Sequence, residues 1–307
     1  MEETIKIFGH KNPDTDTIMS SIALADYENK KGYKSKAYRL GAINKETKYA
    51  LDYFGQEEPE LLEKVEEGNG VMLVDHNEFG QSVEGIEKAN ILCVFDHHKI
   101  SDFRTSEPVY YIGMPVGCTA TILYWMFTQE NKEIDPKIAG LMLSAIISDT
   151  LLFKSPTCTP MDKEYAKQLA EIANVDIEKY GLDMLKAGTD LSDFTPEELI
   201  NIDSKPFESN EIKYQVAQVN TASIEEVLTN KKEIENAMNN FIKENNKNMF
   251  ILLITDILEN NSQIIVAGER KDIVEKAFNV KLEENMAFLP GVVSRKKQVV
   301  PVLDKQC

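Results

Sequence analysis

Cations are scarce in this chain. Of 307 residues, 34 are lysine or arginine against 51 aspartate or glutamate, giving a formal net charge of −17. That charge repels polyanions at long range, so a surface that binds nucleic acid by bulk electrostatics is excluded, and any phosphate chemistry needs cations gathered locally. Glycine and proline number only 15 and 11, and 42% of residues are hydrophobic, so a low-complexity or disordered chain is excluded as well. No apolar run reaches the ~20 residues of a membrane span, so no membrane partner is expected. The acidic start, Met1-Glu2-Glu3, leads straight into a strand-like stretch; no secretory or transit peptide is expected, and the compartment is expected to be the cytoplasm. Four cysteines, Cys93, Cys118, Cys158 and Cys307, stand far apart with no C-x-x-C pair, the usage of reduced core thiols.

Histidine is equally rare: only His10, His76, His97 and His98. Each lies within two residues of an aspartate or asparagine at the end of an apolar run, except His10, whose partners Asp14 and Asp16 arrive four and six residues later. Thr4 to His10 reads as a short buried strand, and Asn12-Pro13 forces a turn. A helix over 17–29 follows, with Gly32 as its stop, then a strand over 35–40 and a helix ending at Phe54. Val71-Met72-Leu73-Val74 stops at Asp75-His76-Asn77, and Ile91-Leu92-Cys93-Val94-Phe95 stops at Asp96-His97-His98-Lys99. Continuous hydrophobicity predicts strands covered on both faces, a mainly parallel sheet flanked by helices. Polar clusters at the carboxyl ends of such strands fall along one sheet edge, where open α/β folds bind ligands.

Residues 117–127 and 138–147 predict helices, the second ending at Ser148-Asp149-Thr150. An aspartate at a helix carboxyl end opposes the local dipole, so a cation is expected beside Asp149. The helical pattern breaks between Gly188 and Pro196. We therefore expect a first domain over 1–188, a hinge linker over 189–195 and a smaller mixed α/β domain over 196–307. In the latter, 212–219 alternates like a half-exposed strand and 224–245 like a polar helix. Two strands flank Asn260-Asn261 as a hairpin, and a last strand is expected from Val299 to Leu303.

His10, Asp14, Asp16, Asp75, His76, Asp96, His97, His98 and Asp149 are the candidate ligands. Imidazole and carboxylate without thiolate suit manganese, iron, zinc or cobalt, and a carboxylate-rich set favours manganese. So many groups fit two ions about 3.5–4 Å apart, sharing a carboxylate and an acidified water. Asp14 and Asp16 are expected in a turn, where residues two apart can serve neighbouring ions. His76 and Asp96 are read as partners that orient ligands. Each Asp-His pair alone would pass for a loop cap; their joint placement is what points to metal. Ser294-Arg295-Lys296-Lys297 follows the rigid stretch Leu289 to Val293 and reads either as a phosphate clamp, with Lys205 in reach, or as a solvated basic loop.

His10-Lys11-Asn12-Pro13-Asp14-Thr15-Asp16-Thr17, Val74-Asp75-His76-Asn77, Asp96-His97-His98-Lys99 and Ser148-Asp149-Thr150 resemble, in order and spacing, the four motifs of the DHH phosphoesterase superfamily. Ser294-Arg295-Lys296-Lys297-Gln298 resembles the signature of one branch, the family II manganese-dependent inorganic pyrophosphatases. The resemblance covers nearly the whole chain. Nucleases and nanoRNA phosphodiesterases of the superfamily end instead in a Gly-Gly-Gly-His segment, which this chain lacks. The resemblance implies that His10, Asp14 and Asp75 hold one manganese ion and Asp16, Asp75, His97 and Asp149 the other. It implies that Lys205, Arg295 and Lys296 grip the phosphates, and that His98 touches the substrate and donates a proton. Pyrophosphate arriving with magnesium would then be split into two phosphates by a metal-bridging hydroxide, with domain closure bringing the clamp onto the substrate. A homodimer is implied by analogy. Cys158 replaces a commoner threonine, and no segment between Asp16 and Asp75 is long enough for a nucleotide-binding regulatory insert.

Overall fold

The computed structural model describes residues 4–307; Met1 to Glu3, on which the absence of a leader was read, lie outside the described residues. Two compact units divide the chain, Met1–Gly188 and Thr189–Cys307.

The first unit runs β1 (Ile5–Phe8), α1 (Thr15–Lys30), β2 (Ser35–Arg39), α2 (Lys45–Tyr53), β3 (Glu60–Leu61), β4 (Gly70–Val74), β5 (Asn90–Asp96), β6 (Tyr110–Gly113), α3 (Thr119–Gln129), α4 (Pro136–Thr150), α5 (Pro160–Ala173) and α6 (Ile177–Gly188). Among the described residues its six strands form one sheet in the order β3-β2-β1-β4-β5-β6. Every neighbouring pair is parallel. The apolar runs of β1, β4 and β5 have the burial expected of strands covered on both sides: Phe8, Leu73 and Val94 are fully buried against Val65, Val83 and Ile86. Helix α1 packs against α3 and α4, and α4 against α5. Ile138 to Ile147 is buried all round, as its nearly unbroken hydrophobicity requires.

Chain order in the sheet reverses between β1 and β4. In a parallel sheet this leaves a crevice at the carboxyl ends of those two strands, because their crossovers depart to opposite faces. His10 and Asp75 follow β1 and β4, and β5 alongside delivers His97 and His98. Gly9 permits the close approach at this edge: a Cβ there would lie 2.5 Å from the Thr17 methyl group.

The second unit runs α7 (Pro196–Leu199), β7 (Ser204–Ser209), β8 (Ile212–Thr221), α8 (Ile224–Leu228), α9 (Lys231–Glu244), β9 (Met249–Asp256), β10 (Asn261–Gly268), α10 (Lys271–Phe278), β11 (Met286–Leu289) and α11 (Val300–Leu303). Its sheet has the order β11-β10-β9-β8-β7. The β8–β9 pair is parallel and the others antiparallel, so the sheet is mixed. The hairpin around Asn260-Asn261 is present as β9 and β10.

Three expectations are corrected here. The 212–219 strand is not half exposed: Tyr214 and Val216 enter one core with α10 and α11, while Ala217 and Val219 enter another with α8 and α9, so both faces are covered. The 224–245 helix is two helices, interrupted at Thr229-Asn230. Val299 to Leu303 is helical rather than a strand. Ser294 starts a π-helical turn over Arg295–Val299 by accepting from the Lys297 N–H, and α11 continues it. Val299, Val300 and Leu303 then share one buried face, a spacing that serves a helix as well as an apolar run serves a strand.

Candidate metal centre

Asp14 is not in a turn with Asp16, as expected, but is the N-cap of α1, accepting from the Thr17 N–H at 2.9 Å; Asp16 lies inside the first helical turn. The two carboxylates nonetheless reach different groups. Asp14 is half exposed and stands 3.5 Å from His10 Nε2, whereas Asp16 is fully buried and points toward α3. Asp149, the penultimate residue of α4, is on the same side as Asp16.

Asp75 lies at the middle of this arrangement. Its backbone is left-handed, with φ of 59°, a conformation aspartate tolerates better than most residues. The side chain is 1% exposed and stands 3.4 Å from His10 Nε2 through one oxygen and 3.3 Å from His97 Nε2 through the other. His97 Nε2 is also 3.7 Å from Asp149. The ring is aimed by Nδ1, which donates to the Val116 carbonyl at 3.1 Å. His10, Asp14 and Asp75 can converge on one point, Asp75, His97 and His98 on a second, and Asp16, Cys118 and Asp149 on a third. All six sequence-predicted ligands are thus gathered at one sheet edge.

His98 stands slightly apart. Its backbone N–H and Nδ1 both donate to Asp96 Oδ1, at 3.0 and 2.9 Å, and Asp96 is fully buried. Asn77 in turn donates to Asp96 Oδ2 at 2.5 Å. His76 is turned away: Nδ1 meets the Val74 carbonyl and Nε2 the Ser82 hydroxyl. A cavity of about 150 Å³ opens between His10, Asp75, His98 and Lys99.

The charges are uncomfortable without a cation. Burial and the neighbouring Asp75 push Asp16 above the ordinary carboxylate range, and burial with Asp16 and Asp75 pushes Asp149 well above it. Burial opposes charge on Asp75 too, yet His10 and His97 hold it well below that range. Burial likewise opposes charge on the two imidazoles, but Asp14 and Asp75 raise His10 to about 10, and Asp75 with Asp16 raises His97 to about 9. Asp16 and Asp149 recruit protons, and Asp75 recruits imidazolium ions, as counter-charge at this sheet edge. Divalent cations are the counter-charge that this oxygen-rich, nitrogen-containing donor set suits.

Several side chains here carry no sequence signature. Thr17 donates to Asp75 at 2.6 Å and Ser20 to Asp16 at 2.6 Å. Glu46 from α2 accepts from Thr15 at 2.7 Å and from Ser148, tying together the segments that carry Asp14, Asp16 and Asp149. Cys118, read as an inert core thiol, is fully buried beside Asp16 and Asp149. Thr17 and Ser148 lie within the quoted motifs without a role read for them, and only adjacency to a motif could have flagged Ser20; nothing local marks Glu46 or Cys118.

The basic cluster belongs to the second unit. Arg295 is 8% exposed; its guanidinium donates to the Asp203 carbonyl, to Asp203 Oδ1 at 2.9 Å and to the Val216 carbonyl at 3.5 Å. Gln218 accepts from the Arg295 N–H, and Gln298 accepts from Val293 and Ser294. This loop is built into the fold, with Lys296 exposed beside it. Lys205 is exposed on β7, two residues beyond Asp203.

Comparison with known proteins agrees with this architecture. Residues 4–146 match the DHH family N-terminal domain and residues 182–306 the DHHA2 domain. A Bacillus subtilis (strain 168) protein named manganese-dependent inorganic pyrophosphatase is 58% identical over 98% of both chains. A Bacillus velezensis relative named "Probable manganese-dependent inorganic pyrophosphatase" is 59% identical over 98% of both. A Methanococcus jannaschii structure assigned to the family II inorganic pyrophosphatases covers 98% of this chain and 99% of its own, at 43% identity and a TM-score of 0.62. On the strength of full-length identity well above half, the chain belongs to the manganese-dependent inorganic pyrophosphatases of the DHH family.

Proposed function

We propose that this protein hydrolyses inorganic pyrophosphate to two phosphates, with two manganese ions at the sheet edge and magnesium accompanying the substrate. The observation that carries the reading is the 58% identity, end to end, with the relative of that name. The convergence of His10, Asp14, Asp16, Asp75, His97 and Asp149 supports it. In this reading His10, Asp14 and Asp75 hold one ion, and Asp16, Asp75, His97 and Asp149 the other, with Asp75 shared. Bound there, the ions supply Lewis acidity, polarising phosphoryl oxygens and acidifying a water enough to serve as the nucleophile near neutral pH.

The chain's own residues do the rest. Asp75 turns one oxygen toward His10 and the other toward His97, a placement from which it would serve both ions. Thr17 and Ser20 hold Asp75 and Asp16 by donated hydrogen bonds, so neither carboxylate must reorient as charge develops. Asp96 fixes His98 by its Nδ1 edge, leaving Nε2 to contact a phosphoryl oxygen and give the departing phosphate its proton. Lys205, Arg295 and Lys296 are the phosphate clamp, and residues 189–195 the hinge over which it closes; Arg contributes a planar fork and Lys a point charge. We further infer a cytoplasmic homodimer, to be checked by light scattering of the purified protein.

The test is phosphate release from pyrophosphate with manganese, and again after chelation, with tripolyphosphate as the competing substrate. Manganese-dependent release that favours pyrophosphate is expected. Metal-independent release, or faster cleavage of tripolyphosphate, overturns the reading.

A further inference from the structure

The start of α3 meets the ligand ring at four points, none of its own side chains being among the six sequence-predicted ligands. The Val116 carbonyl accepts from His97 Nδ1 at 3.1 Å. The Thr119 N–H donates to Asp16 Oδ2 at 2.6 Å and the Ala120 N–H to Asp16 Oδ1 at 3.1 Å. The Thr119 hydroxyl donates to Asp75 Oδ1 at 3.2 Å. One residue thus holds two carboxylates that come from different elements, α1 and the end of β4.

This helix lacks a cap of its own: Cys118 occupies the N-cap position and makes no side-chain hydrogen bond to the first turn. Asp16 supplies the missing acceptor from across the fold, taking two of the N–H groups that a helix start leaves open. The exchange is mutual, since the positive end of the helix dipole lies against a buried carboxylate. Asp16 and Thr119 are fully buried and Asp75 nearly so, so water competes little for these bonds.

Behind this turn stands a second fixed point. Asp162, fully buried at the start of α5, accepts from the Gly117 N–H at 2.9 Å and from the Thr121 hydroxyl at 2.6 Å, as well as from Thr159. Gly117 is required for that approach: a Cβ there would lie 2.9 Å from Asp162 Oδ2 and from the Thr150 methyl group. The segment from Val116 to Ala120 is therefore held from one side by α5 and presents its donors to the ligands on the other.

We propose that Thr119 is a positioning residue of the metal centre, presetting the separation of Asp16 and Asp75, with Asp162 as the buttress that keeps it in place. The two carboxylates repel; Thr17 and Ser20 each steady one of them, and Thr119 bonds both, setting one against the other before the metal arrives. The proposal rests on the metal-centre reading above.

Thr119→Val keeps the branched shape and the backbone donor and removes only the hydroxyl; Thr119→Ser keeps the hydroxyl. Manganese affinity and stoichiometry of each full-length variant are measured by calorimetry and by the paramagnetic resonance of free manganese. The valine variant is expected to bind manganese about tenfold more weakly or worse, and the serine variant within about twofold of wild type. Wild-type affinity in the valine variant, or an equal loss in both, overturns the proposal. If Thr119→Val does not fold, Asp162→Asn, which touches no ligand, takes its place: weakened manganese binding in a folded protein is expected, and unchanged binding overturns the proposal. Asp75→Asn measured alongside keeps the two readings apart, because unchanged manganese binding in that variant sinks the metal centre itself.

Discussion

His10 Nε2 lies 3.4 Å from Asp75 Oδ2, and this pair stands in for an ion pair that metal would replace. Its pH dependence has a definite sign. The folded pKa values of His10 and His97, about 10 and about 9, exceed the ordinary 6.5. The stabilisation they provide is therefore complete below 6.5 and disappears as pH rises through 9 to 10. Asp16 is raised to about 6, so the cost of ionising it is already complete by pH 6.5, whereas Asp149, raised well above the carboxylate range, goes on losing stability as pH rises towards its own folded pKa. Asp75 is depressed, and its contribution is lost only in acid, outside this window. The chelated protein should accordingly melt at progressively lower temperature from pH 6.5 to 10, while the manganese-loaded protein declines less. Thermal scans of both forms across that range check it; a constant gap between them would contradict the ligand assignment. Manganese binding should also release protons, seen as a calorimetric heat that varies with the buffer's ionisation enthalpy.

Replacing Asp75 by asparagine is more informative than replacing it by alanine, because asparagine accepts the left-handed backbone at φ of 59°. The fold should survive while the negative charge between His10 and His97 is lost. Manganese affinity is expected to fall at least tenfold, with phosphate release down by about a hundredfold or more. In the chelated state the alkaline loss of stability should shrink, since His97 loses its main anion and His10 keeps only Asp14. Equilibrium dialysis, an activity assay and thermal scans read the three effects.

How far the sequence foretold these features depends on the range over which each is written. His10, Asp75 and His97 follow apolar strands directly, and a parallel sheet brings strand ends to one edge, so their convergence could be read from the runs alone. The Asp14 cap is equally local, an aspartate accepting from the N–H three residues on, yet Asn12-Pro13 before it reads as a turn, which is where Asp14 was expected. Thr119, Glu46 and Asp162 were not legible, because each acts on a partner 31 to 103 positions away, and the partner is chosen by how the helices of the first unit pack. Val299 to Leu303 misled for the opposite reason: its composition favours a strand, and only Ser294 and the core beneath it make it a helix. β6 is short and α5 and α6 carry polar faces, so neither announced itself by hydrophobicity.

Arg295 and Lys296 are neighbours with different surroundings, and their alanine variants should separate. Lys296 is exposed, so its loss should leave the melting temperature unchanged and raise KM or lower kcat. Arg295→Ala also strips donors from the Asp203 carboxylate and from the carbonyls of Asp203 and Val216. It should cost about 1.5–3 kcal/mol of stability in the second unit besides its effect on KM. Chemical denaturation of the two variants, set beside their kinetics, decides whether Arg295 acts in the fold as well as on phosphate. An unaltered rate profile in Lys296→Ala would return the cluster to a solvated loop.

Asp96 is a sharper probe of His98 than His98 itself. Its carboxylate accepts from His98 Nδ1 and, together with Asp75, raises the imidazole pKa despite burial; the Asp96 hydrogen bond is the largest cause. A rate that needs His98 protonated falls as pH rises through that pKa. Asp96→Asn removes the stabilising charge, lowers the pKa and should move the alkaline limb of the rate profile to lower pH, with manganese affinity largely retained because Asp96 is not among the proposed ligands. It also leaves the Asn77 amide facing a weaker or mispaired partner, so some stability is lost at every pH. The direction of the limb carries the argument: an unmoved limb assigns the proton to a group other than His98, whatever happens to the absolute rate.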